Sequence, residues 1–369
     1  MQKKIKSIAV TGAFILFLAF FSVICITRYF HPGEISESER RPLAQFPEKI
    51  TWAGIIDKTV IDEFEEYSVD QFPFREFFRS LKANFQLKVM RLGEYNGLAI
   101  KDGYIAKIEQ AFTPELVEYS LGRLQYIYEK FLADNGGKKY VSVIPDKNYF
   151  FAKDYGYLSP DYDRLVADVK EKLSGMEYVD VFDALKLSDY YRTDTHWSQD
   201  RIGNVVDKLA QAMGCADRLT GEYTKHQYEP FYGVYYGQSA IHPKPDTITY
   251  LTNSILEQCT VFDYETGETR GIYDFEKLEG KDGYEFFLSG TKALLRVDNP
   301  NATTEDELII FRDSFGSSIS PLLVEGYKSV YLVDIRYVVP DLLNRLIDFE
   351  NKDVLYLYSA LVLNSKSFK

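Results

Sequence analysis

The chain of 369 residues is poor in the residues that most often announce chemistry, with three cysteines, four histidines, four methionines and two tryptophans. It has no Cys-x-x-Cys, His-Glu-x-x-His, Walker loop or Gly-x-Gly-x-x-Gly, so metal, nucleotide and dinucleotide chemistry have no foothold, and neither a metal nor a cofactor is expected. Dense runs of Lys or Arg are also missing and the formal net charge is −12, which argues against nucleic acid as a partner. No repeat at solenoid periods and no low-complexity tract occurs. Cys25 lies in an apolar run, which leaves Cys215 and Cys259. Their spacing says nothing about proximity, so a bond between them stays open.

What is present is a large apolar fraction, 46% of residues, enough to fill a real core. Lys3, Lys4 and Lys6 precede Ile8 to Thr27, twenty residues without a charge. That run reads as a membrane span. A cleaved signal peptide would have a shorter apolar region ending in small residues, and Cys25-Ile-Thr-Arg-Tyr-Phe30 offers a poor cleavage site. With three lysines before the span and Arg28 alone just after it, the amino end is expected in the cytoplasm and the rest outside, as a single-pass protein of the cell membrane. The expected division is an anchor (1–30), a polar spacer (31–52) and one domain (53–369).

Within that domain, helix starts are marked by Pro73, Thr113-Pro114 and Ser159-Pro160. Phe74, Phe77, Phe78, Leu81 and Phe85 recur at helical spacing and are expected to form a buried face. Short β runs, Tyr140 to Ile144, Tyr178 to Phe182, Leu308 to Phe311, Val330 to Ile335 and Val354 to Tyr358, alternate with helices, which predicts an α/β fold with a parallel sheet covered on both faces. Residues 221–290 interrupt the alternation with Tyr, Gly, Thr and Pro and read as a β-rich insertion, with a hairpin near Glu265-Thr-Gly-Glu268.

Two segments carry candidate chemistry. Leu308 to Phe311 breaks abruptly into Arg312-Asp-Ser314-Phe315-Gly316 before a helix-compatible stretch, the outline of a nucleophile elbow. The amides of Ser314, Phe315 and Gly316 are candidate oxyanion donors. In Asp194-Thr-His196, an extended chain would place the carboxylate and imidazole on one side. Asp194 would then orient His196, and His196 would take the proton of Ser314. Against this stand the plainer readings, a strand-to-helix turn at Ser314 and a helix cap beside a core tryptophan at Trp197. His226 and His242 have no carboxylate at an orienting spacing. Lys147, Arg336 and Tyr337 follow strand ends on the same rim as the triad and, with Trp197 and Tyr232, are candidate substrate contacts. Tyr232, Tyr235 and Tyr236 could stack on sugar rings, although 29 tyrosines make such clusters common.

The pairing of Asp194-Thr-His196-Trp197 with Asp313-Ser314-Phe315-Gly316 resembles the SGNH-hydrolase-like family of bacterial DHHW proteins and the alginate O-acetyltransferases AlgJ and AlgX. Glu39-Arg-Arg-Pro-Leu-Ala44, Asp70-Gln-Phe-Pro-Phe-Arg75, Lys101-Asp-Gly-Tyr104, Ile144-Pro-Asp-Lys147 and Asp334-Ile-Arg-Tyr337 resemble its landmarks in the same order. The resemblance covers roughly residues 35–360. Thr195 departs from the His that DHHW proteins often carry there. What the resemblance implies is a three-layer SGNH-hydrolase-like domain with permuted chain order, acid and base before serine. It further implies acetyl transfer onto an exported or cell-envelope polysaccharide, with the acyl group supplied by a multi-pass membrane acyltransferase. Ester hydrolysis by the same triad is the first alternative. A non-catalytic carbohydrate-binding or envelope-assembly module is the second.

Overall fold

The computed structural model describes residues 2–369, which form two compact units. One comprises the chain up to Tyr95 together with Gly237–His242, the other Asn96–Tyr236 with Pro243–Lys369. This division differs from the one expected at residue 53.

The first unit holds the helix α1 (Gln2–Phe30), apolar and long enough to cross a membrane. Beyond it, residues 31–52 fold onto the turn that precedes α2 (Arg75–Asn84). Asp70 accepts two hydrogen bonds of 2.7 Å from Arg41 and one of 2.9 Å from the Ala44 N–H, and it lies 3.1 Å from Arg75. Glu39 in turn pairs with Arg75 and, at 3.1 Å, with Arg79. The Glu39-Arg-Arg-Pro and Asp70-Gln-Phe-Pro-Phe-Arg landmarks are thus two halves of one charged clasp. Two expectations fail here. Pro73 lies in the turn before α2, and Phe74, with φ 56°, is the residue that enters the helix. The stripe of Phe74, Phe77, Phe78, Leu81 and Phe85 is not buried: every member is at least 40% exposed. The helix turns its opposite side inward, where Arg75 and Arg79 pair with Glu39 of the clasp and Ala83 packs with Tyr95 and Ala240.

The second unit is built on an eight-stranded sheet: β1 (Lys139–Ile144), β2 (Glu177–Tyr178), β3 (Thr260–Asp263), β4 (Thr269–Arg270), β5 (Leu294–Asp298), β6 (Glu307–Arg312), β7 (Ser329–Val333) and β8 (Asp353–Ser359). Spatial order is β4-β3-β5-β7-β6-β8-β1-β2. From β7 to β2 all neighbours are parallel, and β5, β3 and β4 extend the sheet antiparallel. The sheet is therefore mixed, and the segment expected as an insertion supplies two of its edge strands. Thr224–Phe231 and Asp246–Thr252 pair as a separate hairpin. The second predicted strand is shorter than expected, because the chain turns into a 3-10 helix at Phe182.

Alternate residues of the central strands enter two different cores, as a sheet covered on both faces requires. Leu308, Ile310, Leu355 and Leu357 pack with Val205 and Leu209 of α6 (Gly203–Met213) and with Ile319 and Leu322 of α7 (Gly316–Leu323). Ile309, Phe311, Val354, Tyr356 and Tyr358 pack with Leu121 and Leu124 of α3 (Pro114–Ile127) and with Leu165 and Val169 of α5 (Tyr162–Lys172). Each such side chain contributes roughly 1.5–3 kcal/mol on burial, so β6 and β8, buried on both faces, are firmly held. The cap of α5 is Asp161, whose carboxylate accepts from the Arg164 N–H, and not Ser159. Cys215 and Cys259 are buried and unbridged.

Candidate active site

The parallel strands all end on the same rim, and three chemically distinct segments leave from it. Ser314 follows β6, Arg336-Tyr337 follow β7, and Lys147 opens α4 (Lys147–Tyr155) after β1. At the end of β6 the chain must turn sharply into α7. Asp313 makes that turn: its Oδ1 accepts from the Phe315 N–H (3.0 Å) and its Oδ2 from the Ser359 N–H at the end of β8 (2.8 Å). Gly316 is required for packing, since a Cβ there would lie 2.6 Å from the Cβ of Arg312.

Opposite the elbow, residues 190–197 form a bent loop closed by the Tyr190 and Trp197 bridge, with the Tyr191 N–H on the His196 carbonyl (3.0 Å). The segment is not extended as predicted, yet its tip brings Asp194 and His196 face to face. Asp194 Oδ1 lies 2.6 Å from His196 Nδ1 and also accepts from the His196 backbone N–H (3.0 Å). Asp194 Oδ2 accepts from the Val234 N–H at 2.8 Å. The second imidazole nitrogen, Nε2, is 2.7 Å from Ser314 Oγ. Acid, base and hydroxyl, 120 residues apart in sequence at their widest, form one continuous hydrogen-bonded line. Burial alone would raise the Asp194 carboxyl, but the charge of His196 and the three N–H groups outweigh it and hold the group well below the usual carboxylate range. An ionised Asp194 fixes His196 with Nδ1 protonated, which leaves Nε2 to accept from Ser314. Ser314 itself is half-buried, so a small reactant can reach it.

Several expected contacts are placed otherwise. Of the three expected oxyanion donors, the Phe315 and Gly316 N–H groups already donate to Asp313, to its carboxylate and its carbonyl (3.1 Å) respectively. The Ser314 N–H makes no hydrogen bond among the described residues. Lys147 does not face a substrate. It is buried and its Nζ donates to the carbonyls of Ile105 (2.8 Å), Arg192 (3.3 Å) and Asp194 (2.5 Å), so it braces the acid's loop from behind. Burial pushes its ammonium down to about 7, against the pull of Asp194 and Asp246. Trp197 is a core residue whose Nε1 donates to Ser318 Oγ (2.9 Å). Arg336 is clamped on Asp334 through Nε (2.8 Å) and Nη2 (2.6 Å). Tyr232 and Tyr337 remain exposed on the surface. His226 is accounted for by Thr252 Oγ1 (2.9 Å) and by stacking on Tyr250. His242 lies in the other unit.

Sequence reasoning missed four supports. Tyr284 stacks on the His196 ring with centroids 3.8 Å apart and planes 3° from parallel, while its hydroxyl donates to Ser318 Oγ (2.8 Å). Asp246 accepts from the Arg192 and Thr193 N–H groups. Gly233 lets the chain approach so closely that a Cβ would lie 2.3 Å from the Thr193 carbonyl oxygen, and this proximity delivers the Val234 N–H to Asp194. Gln199 receives the Leu251 N–H and donates to the Ser318 carbonyl, fastening the hairpin to α7. One tyrosine among 29 carries no signal of its own; Gly233, within a tyrosine-rich stretch, was the one readable sign of a close backbone approach.

The chain is similar to known proteins in one segment and in its fold. Residues 181–333, which include Asp194, His196 and Ser314, match the family model for DHHW proteins. A DHHW family protein from Eubacterium siraeum shares the fold at TM-score 0.59 and 21% identity, over 74% of this chain and 94% of that one. Bacillus cereus PatB1 does so at TM-score 0.57 and 19% identity, over 74% and 98%, and a structure of PatB1 with a sulfonyl adduct gives 0.56 and 17%, over 74% and 97%. The O-acetyltransferase domain of Pseudomonas putida AlgJ overlaps more loosely, at TM-score 0.44 and 15% identity, over 73% and 93%. No curated protein matches the chain. The family resemblance drawn from the motifs holds as a match: the segment carrying the three aligned groups is similar to DHHW proteins, and the mixed α/β fold is shared with a solved DHHW protein.

Proposed function

We propose that this chain is a membrane-anchored, extracytoplasmic serine O-acyltransferase that moves an acetyl group onto hydroxyls of an exported or cell-envelope polysaccharide. The observation that carries the reading is the 2.7 Å contact between His196 Nε2 and Ser314 Oγ, backed by Asp194 on the far side of the ring. In the first half-reaction Ser314 Oγ attacks the acyl carbonyl as its proton passes to His196 Nε2. The tetrahedral oxyanion accepts from the Ser314 N–H, a contact of a kind worth roughly 3–4 kcal/mol. Collapse expels the donor's leaving group, which takes the proton back from His196. In the second half-reaction a sugar hydroxyl loses its proton to the same nitrogen, attacks the acyl-serine and frees Ser314 Oγ, which recovers that proton.

The anchor supports transfer, because it would hold Ser314 beside a membrane-borne donor such as a multi-pass acyltransferase. Chain order, acid and base before serine, supports a permuted SGNH-type domain. Full-length protein in detergent, given a chromogenic acetyl ester with and without an oligosaccharide, tests the proposal. Acetylated sugar by mass spectrometry supports transfer. Free acetate with unmodified sugar would mean an esterase, and unchanged sugar binding without turnover would mean a binding module. Ser314→Ala is expected to lower turnover by at least about 10⁴-fold. An arylsulfonyl fluoride should label the wild-type chain once, at Ser314, with loss of fluoride.

A further inference from the structure

The exposed aromatic stripe of α2 is too large and too continuous to be incidental. Phe72, Phe74, Phe77, Phe78, Leu81 and Phe85 lie along one side of the helix and the turn before it. Scattered exposed apolar residues need no explanation, but a contiguous patch of aromatic rings marks a surface that something covers. What covers it is indicated by the neighbouring helix. The rings of Phe72 and Phe74 stand 6.3 and 6.4 Å from the ring of Phe21, inside the apolar run of α1. Phe77 and Phe74 also border a cleft of about 640 Å³ whose other side is Ile24 and Arg28 of the same helix.

At 1.5 Å rise per residue, Phe21 sits about 10 Å along the helix from Arg28, the first charge after the span. Anything packed against Phe21 is therefore drawn below the level of the headgroups if α1 crosses the bilayer. An interfacial helix buries its apolar side roughly 5–10 Å deep, which is the depth this packing sets. Charge agrees with that placement. Arg75 and Arg79 are consumed by the clasp to Glu39, whereas Lys82, Lys88 and Arg91 make no ion pair among the described residues. These three cations sit along the same helix and the residues after it, where they can meet anionic phosphates.

We propose that α2 lies in the outer leaflet of the membrane beside α1, with its phenylalanine stripe among the acyl chains and Lys82, Lys88 and Arg91 at the headgroups. This rests on the anchor reading of α1, and it makes the first unit a two-point membrane attachment in place of a single tether.

The test uses full-length protein in vesicles of phosphatidylcholine and phosphatidylglycerol, carrying one nitroxide at a time. Cys25 itself reports the anchor. F77C and L81C, each in a Cys25→Ser background, report the stripe, and circular dichroism checks that each variant is folded. Labels at 77 and 81 should collide readily with oxygen and poorly with an aqueous nickel chelate, at a depth of roughly 5–10 Å below the phosphates. Ready collision with nickel at 77 and 81 while Cys25 is lipid-embedded overturns the proposal and leaves the anchor standing. Protection from both reagents would mean that protein covers the stripe, which also overturns it. A Cys25 label in water removes the anchor and the proposal together.

Discussion

In the proposed mechanism three residues, Asp194, His196 and Ser314, carry the chemistry, and their neighbours decide whether they are aligned. Gly233 is the sharpest case, because a methyl group there must displace the Thr193 carbonyl or the Asp194 side chain. Gly233→Ala is expected to withdraw the Val234 N–H from Asp194 and reduce kcat on a small acetyl ester by about 10- to 100-fold with little change in KM, since what is lost is alignment of the base. Tyr284 gives a graded comparison. Tyr284→Phe keeps the ring against His196 and loses only the bond to Ser318, whereas Tyr284→Leu loses the ring itself. The leucine variant should be the slower enzyme in stopped-flow ester turnover, and equal rates would show that the stack has no part in holding the imidazole. Asp194, His196 and Ser314 were legible because an acid two residues from a rare histidine and a serine at a strand end are local patterns. Tyr284 and Asp246 were not, because their significance exists only once the hairpin and the elbow are folded against each other.

Strands and helices were read best where both faces are buried. β1, β6, β7 and β8 coincide closely with apolar runs, since a strand covered on both sides leaves no room for polar residues. The edge strands β3 and β4 were absorbed into an expected insertion, because an antiparallel edge has no continuous apolar signature. The stripe of α2 misled for a related reason: periodicity shows that a helix has an apolar side but not what covers it. The clasp that holds α2 has a consequence that pH can reveal. Burial would raise the Asp70 carboxyl, but Arg41, the Ala44 N–H and Arg75 outweigh it and hold it at about 2. A depressed folded-state value means the stabilisation is complete above the unfolded value near 4 and is lost as pH falls through about 2. Hydrogen exchange at residues 33–44 and 70–79 should accelerate over that window, and Asp70→Asn should exchange faster at neutral pH while losing the acid dependence.

For the molecule as a whole, the groups that align Ser314 all lie in the second unit, and no residue of α1 is among them. Deleting residues 2–30 is therefore expected to leave turnover of a small soluble ester in detergent within about twofold of the full chain, because sites that share no partners act independently. A collapse of that activity would show that the first unit shapes the catalytic one. Chain order is equally free of consequence for the chemistry, and the loop at Asp194 shows why. Its carboxylate grips both the ring and the amide of the same histidine, so acid and base form one local cassette, which Lys147, Asp246 and the Val234 N–H brace from outside. The scaffold has a single gap left to close, between that cassette and the hydroxyl. That closure is made in space, so it is indifferent to whether the ribosome delivers the serine before or after the cassette.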